Sequence, residues 1–238
     1  MYQCLWLRRA CKSNRIQQIV HASKQIAPTI DSGVYTDKGR AVGSLQLIMG
    51  PMFAGKTSEL LRRVTLAEAQ SLRVVVINSN KDTRYGKNVC ATHDGQTRPA
   101  FAIGNLLDLL DAEHPASAHF HKDEIDVIAI DESQFFPDLK QFCIEMVEVH
   151  GKSVIAAGLH GDFRREVFGD LVNLVPFADH VELLSARCSF CDEKAIFTLR
   201  VAANDSQHLV GGSDAYSPVC RRHYVELHNC RSGLPDVD

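Results

Sequence analysis

The sequence predicts an α/β protein: a parallel sheet with helices on both faces, joined to a small cysteine-marked unit near its C-terminal end. Three observations predict it. Four short runs, Leu45–Met49, Arg73–Ile77, Ile125–Ile130 and Ser153–Ala157, are nearly continuous in apolar residues, as strands buried on both faces are. Stretches with helical spacing fall between them, and strand–helix alternation argues for a parallel sheet. After Ser185 the character changes to cysteines and glycines without clear helices.

Taken in order, the first thirty residues carry Arg8, Arg9, Lys12, Arg15 and Lys24, with no acid until Asp31. That is the composition of an organellar transit peptide, and equally of a plain disordered extension. Asp31 to Gly43 reads as a linker, with Gly33, Gly39 and Gly43 among polar residues. Leu45–Met49 then forms a strand that stops at Gly50. Leu60, Leu61, Val64 and Ala67 recur at helical spacing, and Arg73–Ile77 is the second strand. Leu106–Leu110 suggests a short helix before the third strand, Ile125–Ile130. Pro137 opens a further helix carrying Leu139, Phe142, Cys143 and Met146. Ser153–Ala157 is the fourth strand.

At 238 residues, 45% apolar and 23% charged, the chain can bury a full core without disulfides. A net charge of -3 gives no broad electrostatic reason to bind nucleic acid or a membrane surface. No apolar run approaches the ~20 residues that span a bilayer. Cysteines at 4, 11, 90, 143, 188, 191, 220 and 230 are too sparse for a secreted disulfide framework. A reducing compartment, with some thiols on a metal, fits better.

Gly50-Pro51-Met52-Phe53-Ala54-Gly55-Lys56-Thr57 matches G-x-x-x-x-G-K-[ST] in full, after a strand and opening a helix. Glycines let the backbone curl so that N–H groups face phosphate oxygens, and the helix N-terminus adds partial positive charge. Lys56 reaches the β- and γ-phosphates, and the Thr57 hydroxyl suits Mg²⁺. The chain therefore binds a nucleoside triphosphate, and the sheet is of the P-loop NTPase type.

The third strand runs into Asp131-Glu132-Ser133-Gln134. An acid at such a strand end stands beside Mg²⁺ in P-loop proteins, and Asp131 fits that role through coordinated water. Glu132 leaves in another direction and can take a proton from an attacking hydroxyl. If it activates water instead, the protein is an ATPase. Both readings stay open at this point.

Cys188-Ser-Phe-Cys191 and Cys220-Arg-Arg-His223 are two knuckles at zinc-ribbon separation. Three thiolates and an imidazole fill a tetrahedral Zn²⁺, so the site is expected to be structural. A zinc deaminase is excluded, because His180-Val-Glu182 lies only a few residues upstream and neither knuckle begins Pro-Cys. A zinc-ribbon P-loop ATPase acting on nucleic acid is the alternative, although the segment between the knuckles has few cations. The expected organisation is a basic extension and linker over 1–43, a P-loop α/β domain over 44–186, a zinc-binding unit over 187–226 and a tail over 227–238.

From Leu45 to Tyr224 these residues resemble the type II thymidine kinases, the cytosolic animal and bacterial type. The likeness rests on the phosphate loop, Asp82-Thr-Arg-Tyr85, Thr92-His-Asp94, Asp131-Glu-Ser-Gln-Phe135, Gly161-Asp-Phe-Arg164, Phe168-Gly169, Asn173-Leu-Val-Pro176, both knuckles, and Gly211-Gly with Tyr216. It implies transfer of the ATP γ-phosphate to the 5′-hydroxyl of thymidine or deoxyuridine, with Glu132 as general base. Gly50 to Thr57, Asp82, Thr83, Arg84, Asp131, Ser133 and Gln134 would surround ATP and Mg²⁺. Met52, Leu159, Phe163, Phe168, Thr198 and Tyr216 would line the thymidine pocket. Gln207, His208, Leu209, Val210 and Gly211 would form a "lasso" whose backbone meets the thymine edge. Cys188, Cys191, Cys220 and His223 would hold zinc. The resemblance further implies a cytoplasmic homotetramer inhibited by thymidine triphosphate (dTTP). Arg84 and Arg165 are candidates to neutralise the transferring phosphoryl group. Ser133, His160 and Val167 depart from the residues common in that family.

Overall fold

The computed structural model describes residues 35–37, 40–82, 89–91, 95, 97–202, 206–207 and 209–232. The transit-peptide reading therefore falls on residues outside those described. Within the segment read as a linker, Tyr35–Asp37 (β1) and Arg40–Val42 (β2) pair as an antiparallel hairpin.

A six-stranded sheet, parallel throughout, organises the chain. Its members are Ser44–Met49 (β3), Val74–Ser79 (β4), Phe101–Ile103 (β7), Val127–Ile130 (β8), Ser153–Gly158 (β9) and His180–Leu183 (β10). Their spatial order is β10-β3-β9-β8-β4-β7. A small hairpin, Val89–Ala91 (β5) with Thr97–Pro99 (β6), lies between β4 and β7 in the chain. All four expected strands are present. The two at the sheet's edges, β7 and β10, were not foreseen.

Alternation along the central strands sends side chains to both faces. Leu47, Ile77, Ile130, Val154 and Ala156 join Phe136, Leu139, Phe142 and Met146 in one core. The last three belong to Leu139–Ile144 (α2) and the π-helical turn Glu145–Val149 that continues it. The helix Lys56–Ala69 (α1) lies against β3, β4, β8 and β9 and buries Leu60, Leu61, Val64 and Ala67. Each buried leucine or valine there contributes about 1.5–3 kcal/mol. The helix expected at Leu106–Leu110 is a single 3₁₀ turn, Leu107–Leu109.

Beyond β10 come two small hairpins, Ala186–Arg187 (β11) with Lys194–Ala195 (β12) and Phe197–Arg200 (β13) with Tyr216–Val219 (β14). The helix Arg221–Ser232 (α3) follows, correcting the expectation of no clear helix after Ser185. Its first turn carries the Cys-Arg-Arg-His spacing, which reads as a metal knuckle and conceals the helical period. Cys188, Ala195, Leu199, Val219, Cys220 and Tyr224 form a second, small core.

Candidate active site

Parallel pairing brings four strand ends to one edge of the sheet, where β3 runs into Gly50, β4 into Asn80, β8 into Asp131 and β9 into Leu159. A crevice outside such carboxyl ends is where open α/β sheets bind ligands. Gly50 is needed for close approach: a Cβ there would lie 2.8 Å from the Leu184 carbonyl oxygen. Gly55 is needed for conformation, because it caps α1 at φ 78°, in the left-handed region. Between them the Lys56 ammonium donates to the Pro51 carbonyl at 2.7 Å, folding the lysine back over its own loop.

The two acidic-motif residues diverge. Asp131 is buried, and its Oδ2 accepts from the Thr57 hydroxyl at 2.9 Å and from the Cys90 thiol at 3.3 Å. Burial above all, then the neighbouring Glu132 charge, pushes the Asp131 carboxyl up to about 6, against the bonds from Thr57 and Cys90. A carboxylate made costly by burial beside a hydroxyl oxygen is a hard donor pair that suits a divalent cation. Burial first, and then the Asp131 charge, drives the Cys90 thiol far above its ordinary range. Glu132 sits at φ 48° and turns into the cleft. Its Oε2 accepts from Gln134 Nε2 at 2.6 Å, and Gln134 Oε1 accepts from the Leu159 N–H at 2.9 Å. That chain of bonds fixes both the amide and the carboxylate.

One cleft gathers most of the expected site. Met52 to Thr57, Asp82, Glu132, Gln134, Leu159, Phe163 and Phe168 line it, together with Thr198, Gln207, Leu209, Val210, Gly211 and Tyr216. Met52 N–H donates to the Thr198 hydroxyl at 3.0 Å, tying the phosphate loop to β13. Gly50, Pro51, Asp131 and Ser133 stand outside the lining. Thr83, Arg84 and His208 lie outside the described residues.

The knuckles converge. Cys188 and Cys191 flank the β11–β12 turn, while Cys220 and His223 begin α3. Their ligand atoms all lie within 4.8 Å of one another. Cys188, Cys191 and Cys220 Sγ are 3.5, 3.6 and 3.3 Å from His223 Nδ1, and Cys191 Sγ is 3.9 Å from Cys220 Sγ. A tetrahedron with Zn–S near 2.3 Å has edges of roughly 3.8 Å, so the group can hold zinc. Burial works against ionising Cys188, but backbone N–H bonds from Cys220 and Phe190 and the Cys191 and His223 side chains outweigh it. The thiol is lowered to about 6.

Residues 43–224 match the thymidine kinase family. The chain belongs to that family. It is 42% identical over 210 residues to thymidine kinase a of Arabidopsis thaliana, covering 84% of each chain. It is 41% identical over 191 residues to the cytosolic thymidine kinase of Gallus gallus, covering 79% of this chain and 80% of that one. The cytosolic thymidine kinase of Homo sapiens is 40% identical over 194 residues, 82% of this chain and 78% of its own.

A thymidine kinase uses ATP, and its cations matter. Besides Lys56, Lys81 and Arg200 line the cleft. Arg165, expected at the phosphoryl group, is not among the lining residues: its guanidinium lies 4.5 Å from the Tyr224 ring centroid. Asp162 and Arg200 line the cleft without having been assigned a role from sequence. The signals were available, since Asp162 falls in the quoted Gly-Asp-Phe-Arg run and Arg200 shares a β13 face with Thr198. Of the three departures, Ser133 is buried behind Glu132 and Val167 is exposed. His160 lies beside the phosphate loop. Burial lowers its pKa and the Lys56 charge lowers it further, against a hydrogen bond with the Gly50 backbone.

Proposed function

We propose that this chain transfers the γ-phosphate of ATP to the 5′-hydroxyl of thymidine, and of deoxyuridine, giving the monophosphate and ADP. The observation that carries this reading is one cleft lined together by the phosphate loop, by aromatic and apolar side chains and by Glu132. Nucleotide phosphates meet the N–H groups of the Gly50–Thr57 loop and the Lys56 ammonium. Asp82, Thr83, Arg84, Ser133 and Gln134 complete the ATP surroundings. Thr57 and Asp131 are the oxygen donors for Mg²⁺, which neutralises charge on the phosphates when bound.

The base lies against Phe163 and Phe168, with Met52, Leu159, Thr198 and Tyr216 around it. Segment 207–211 covers it and reads its edge through backbone groups. Glu132 accepts the 5′-hydroxyl proton as that oxygen attacks phosphorus, and ADP leaves. Phosphoryl transfer needs mostly positioning and charge neutralisation, and this arrangement supplies both. A structural zinc on Cys188, Cys191, Cys220 and His223 fastens the base of the covering segment.

Thymidine triphosphate satisfies both parts of such a cleft, its base on the aromatic side chains and its phosphates on the loop, which makes it the expected feedback inhibitor. A homotetramer in the cytosol completes the reading, by likeness to relatives named cytosolic. No helix among the described residues is long and apolar enough to cross a membrane.

The test is ADP release from Mg·ATP with each nucleoside supplied separately and a no-acceptor control. Stimulation by thymidine and deoxyuridine, with little from deoxycytidine or purine nucleosides, is the expected outcome. ADP release independent of any nucleoside would instead make Glu132 a water-activating base and the protein an ATPase.

A further inference from the structure

Part of the cleft lining is built around one buried arginine. Arg200 is 2% exposed. Its guanidinium lies 3.8 Å from the Phe163 ring centroid and 5.0 Å from that of Tyr216. The same group donates to the Ser206 carbonyl, to the Gln207 carbonyl at 3.2 Å and to the Tyr216 hydroxyl at 2.5 Å. Tyr216 passes the contact on, its hydroxyl donating to the Leu209 carbonyl at 2.8 Å. A second tether comes from the sheet side. Asp162, also buried, accepts the N–H groups of Arg164 and Glu166 on Oδ1 at 2.8 and 2.9 Å. Its Oδ2 accepts from Gln207 Nε2 at 3.1 Å.

We propose that Arg200 is a positioning residue of the thymidine subsite, holding the covering segment at Ser206 and Gln207 while it braces the Phe163 ring, with Asp162 tethering the same segment through Gln207. The proposal rests on the thymidine kinase reading of the cleft. Its physical basis is the high cost of burying a guanidinium whose donors go unused. Two of its acceptors are carbonyls of the covering segment, so these two bonds hold only while that segment is in place. The planar fork serves those acceptors while its face rests on an aromatic ring. A lysine ammonium offers neither the plane nor the stacking face. Base contact and lid position are therefore set by one side chain, and nucleoside affinity follows its integrity more than nucleotide affinity does.

The experiment compares wild type with Arg200→Met, Arg200→Lys and Gln207→Ala. It measures KM for thymidine and for ATP, kcat, zinc content and amide exchange of residues 209–211. Arg200→Met is expected to raise the thymidine KM about 10- to 100-fold, the worth of a hydrogen bond to a charged group. Exchange at 209–211 quickens, zinc stays bound, and the ATP KM moves far less. Arg200→Lys fails to restore affinity. Gln207→Ala, which removes the side-chain tether to Asp162 and keeps the backbone carbonyl that Arg200 bonds, raises the thymidine KM about 3- to 10-fold. Equal rises in both KM values, or unchanged thymidine KM and exchange in Arg200→Met and Gln207→Ala, overturn the proposal. If Arg200→Met does not fold, Arg200→Lys decides the role of Arg200 and Gln207→Ala that of the Asp162 tether, an unchanged thymidine KM overturning the part it tests. A wild type without thymidine-dependent ADP release sinks the functional reading, and the exchange data then test the tether by themselves.

Discussion

Glu132 carries the chemistry of the proposed reaction, and its surroundings say what a substitution there should do. Its backbone is left-handed at φ 48°, and Gln134 Nε2 holds one carboxylate oxygen at 2.6 Å. Glutamine at this position keeps an oxygen that accepts the same bond, so the loop geometry should survive. What is lost is the charge that takes a proton. Glu132→Gln is therefore expected to bind ATP and thymidine normally and to lose about 10²- to 10⁴-fold in kcat, the usual worth of a general base. Equilibrium binding of both substrates beside steady-state turnover checks it. Near-normal turnover would remove Glu132 from the base role. Asp131 answers to a different contact. Its bond to Thr57 spans 74 positions, and it joins the two nucleotide motifs rather than reaching into the cleft.

At the scale of elements, α1 is fastened to the sheet by more than its apolar stripe. Arg63 is 1% exposed and bonds Glu59 on its own helix at 2.8 Å, Gln46 on β3 at 2.7 Å, and Glu182 on β10. Removing one member of a buried ionic group strands the others, at about 3–5 kcal/mol where all are fully buried. Glu182 is 34% exposed, and water can recover it, so Arg63→Met should cost about 2 kcal/mol. Urea unfolding checks this: the midpoint should fall with little change in slope. An unchanged midpoint would mean that the apolar stripe alone docks α1.

The same helix shows why some elements were legible and others were not. Central strands are nearly continuous in apolar residues because both faces are covered, and that reads directly from sequence. β10 lies at an edge, and Val181 and Leu183 are 38% and 59% exposed. Its His-Val-Glu-Leu pattern follows from that position and resembles no buried strand. β7 has only three residues, too few to show a period. The phosphate loop and knuckles were legible because their ligand groups are adjacent in sequence. The motif around Asp162 was visible, but its bond to Gln207, 45 positions on, and that of Arg200 to Tyr216, 16 positions on, are supplied only by the fold.

Among the described residues, a large core joins the sheet to α2 and a small one lies behind the knuckles. Six buried residues, two of them cysteines of the knuckles, make the small core, and a cluster of that size does not hold a chain segment alone. Antiparallel pairing of β13 with β14 and the Tyr224 hydroxyl bond to the Phe163 carbonyl at 2.8 Å add to it. Even so, Cys191 and Cys220 stand 29 positions apart, and closing that loop has an entropic cost which a metal at its base offsets. The large core has no ligand in the cluster, and Asp131 and Glu132 directly follow β8, whose Ile128 and Ile130 belong to it. Removal of zinc should therefore separate the two ends of the cleft. Cys188→Ala, or wild type stripped by a chelator, is expected to lose zinc and to weaken thymidine binding by more than about tenfold, since segment 207–211 is no longer ordered in advance. Mg·ATP binding should persist, and the main unfolding transition should shift little. Titration of each ligand separately against zinc content decides the matter. Parallel loss of both affinities would mean that the knuckles hold the whole sheet together. Full thymidine affinity without zinc would mean that Arg200, Tyr216 and Tyr224 suffice to keep the covering segment in place.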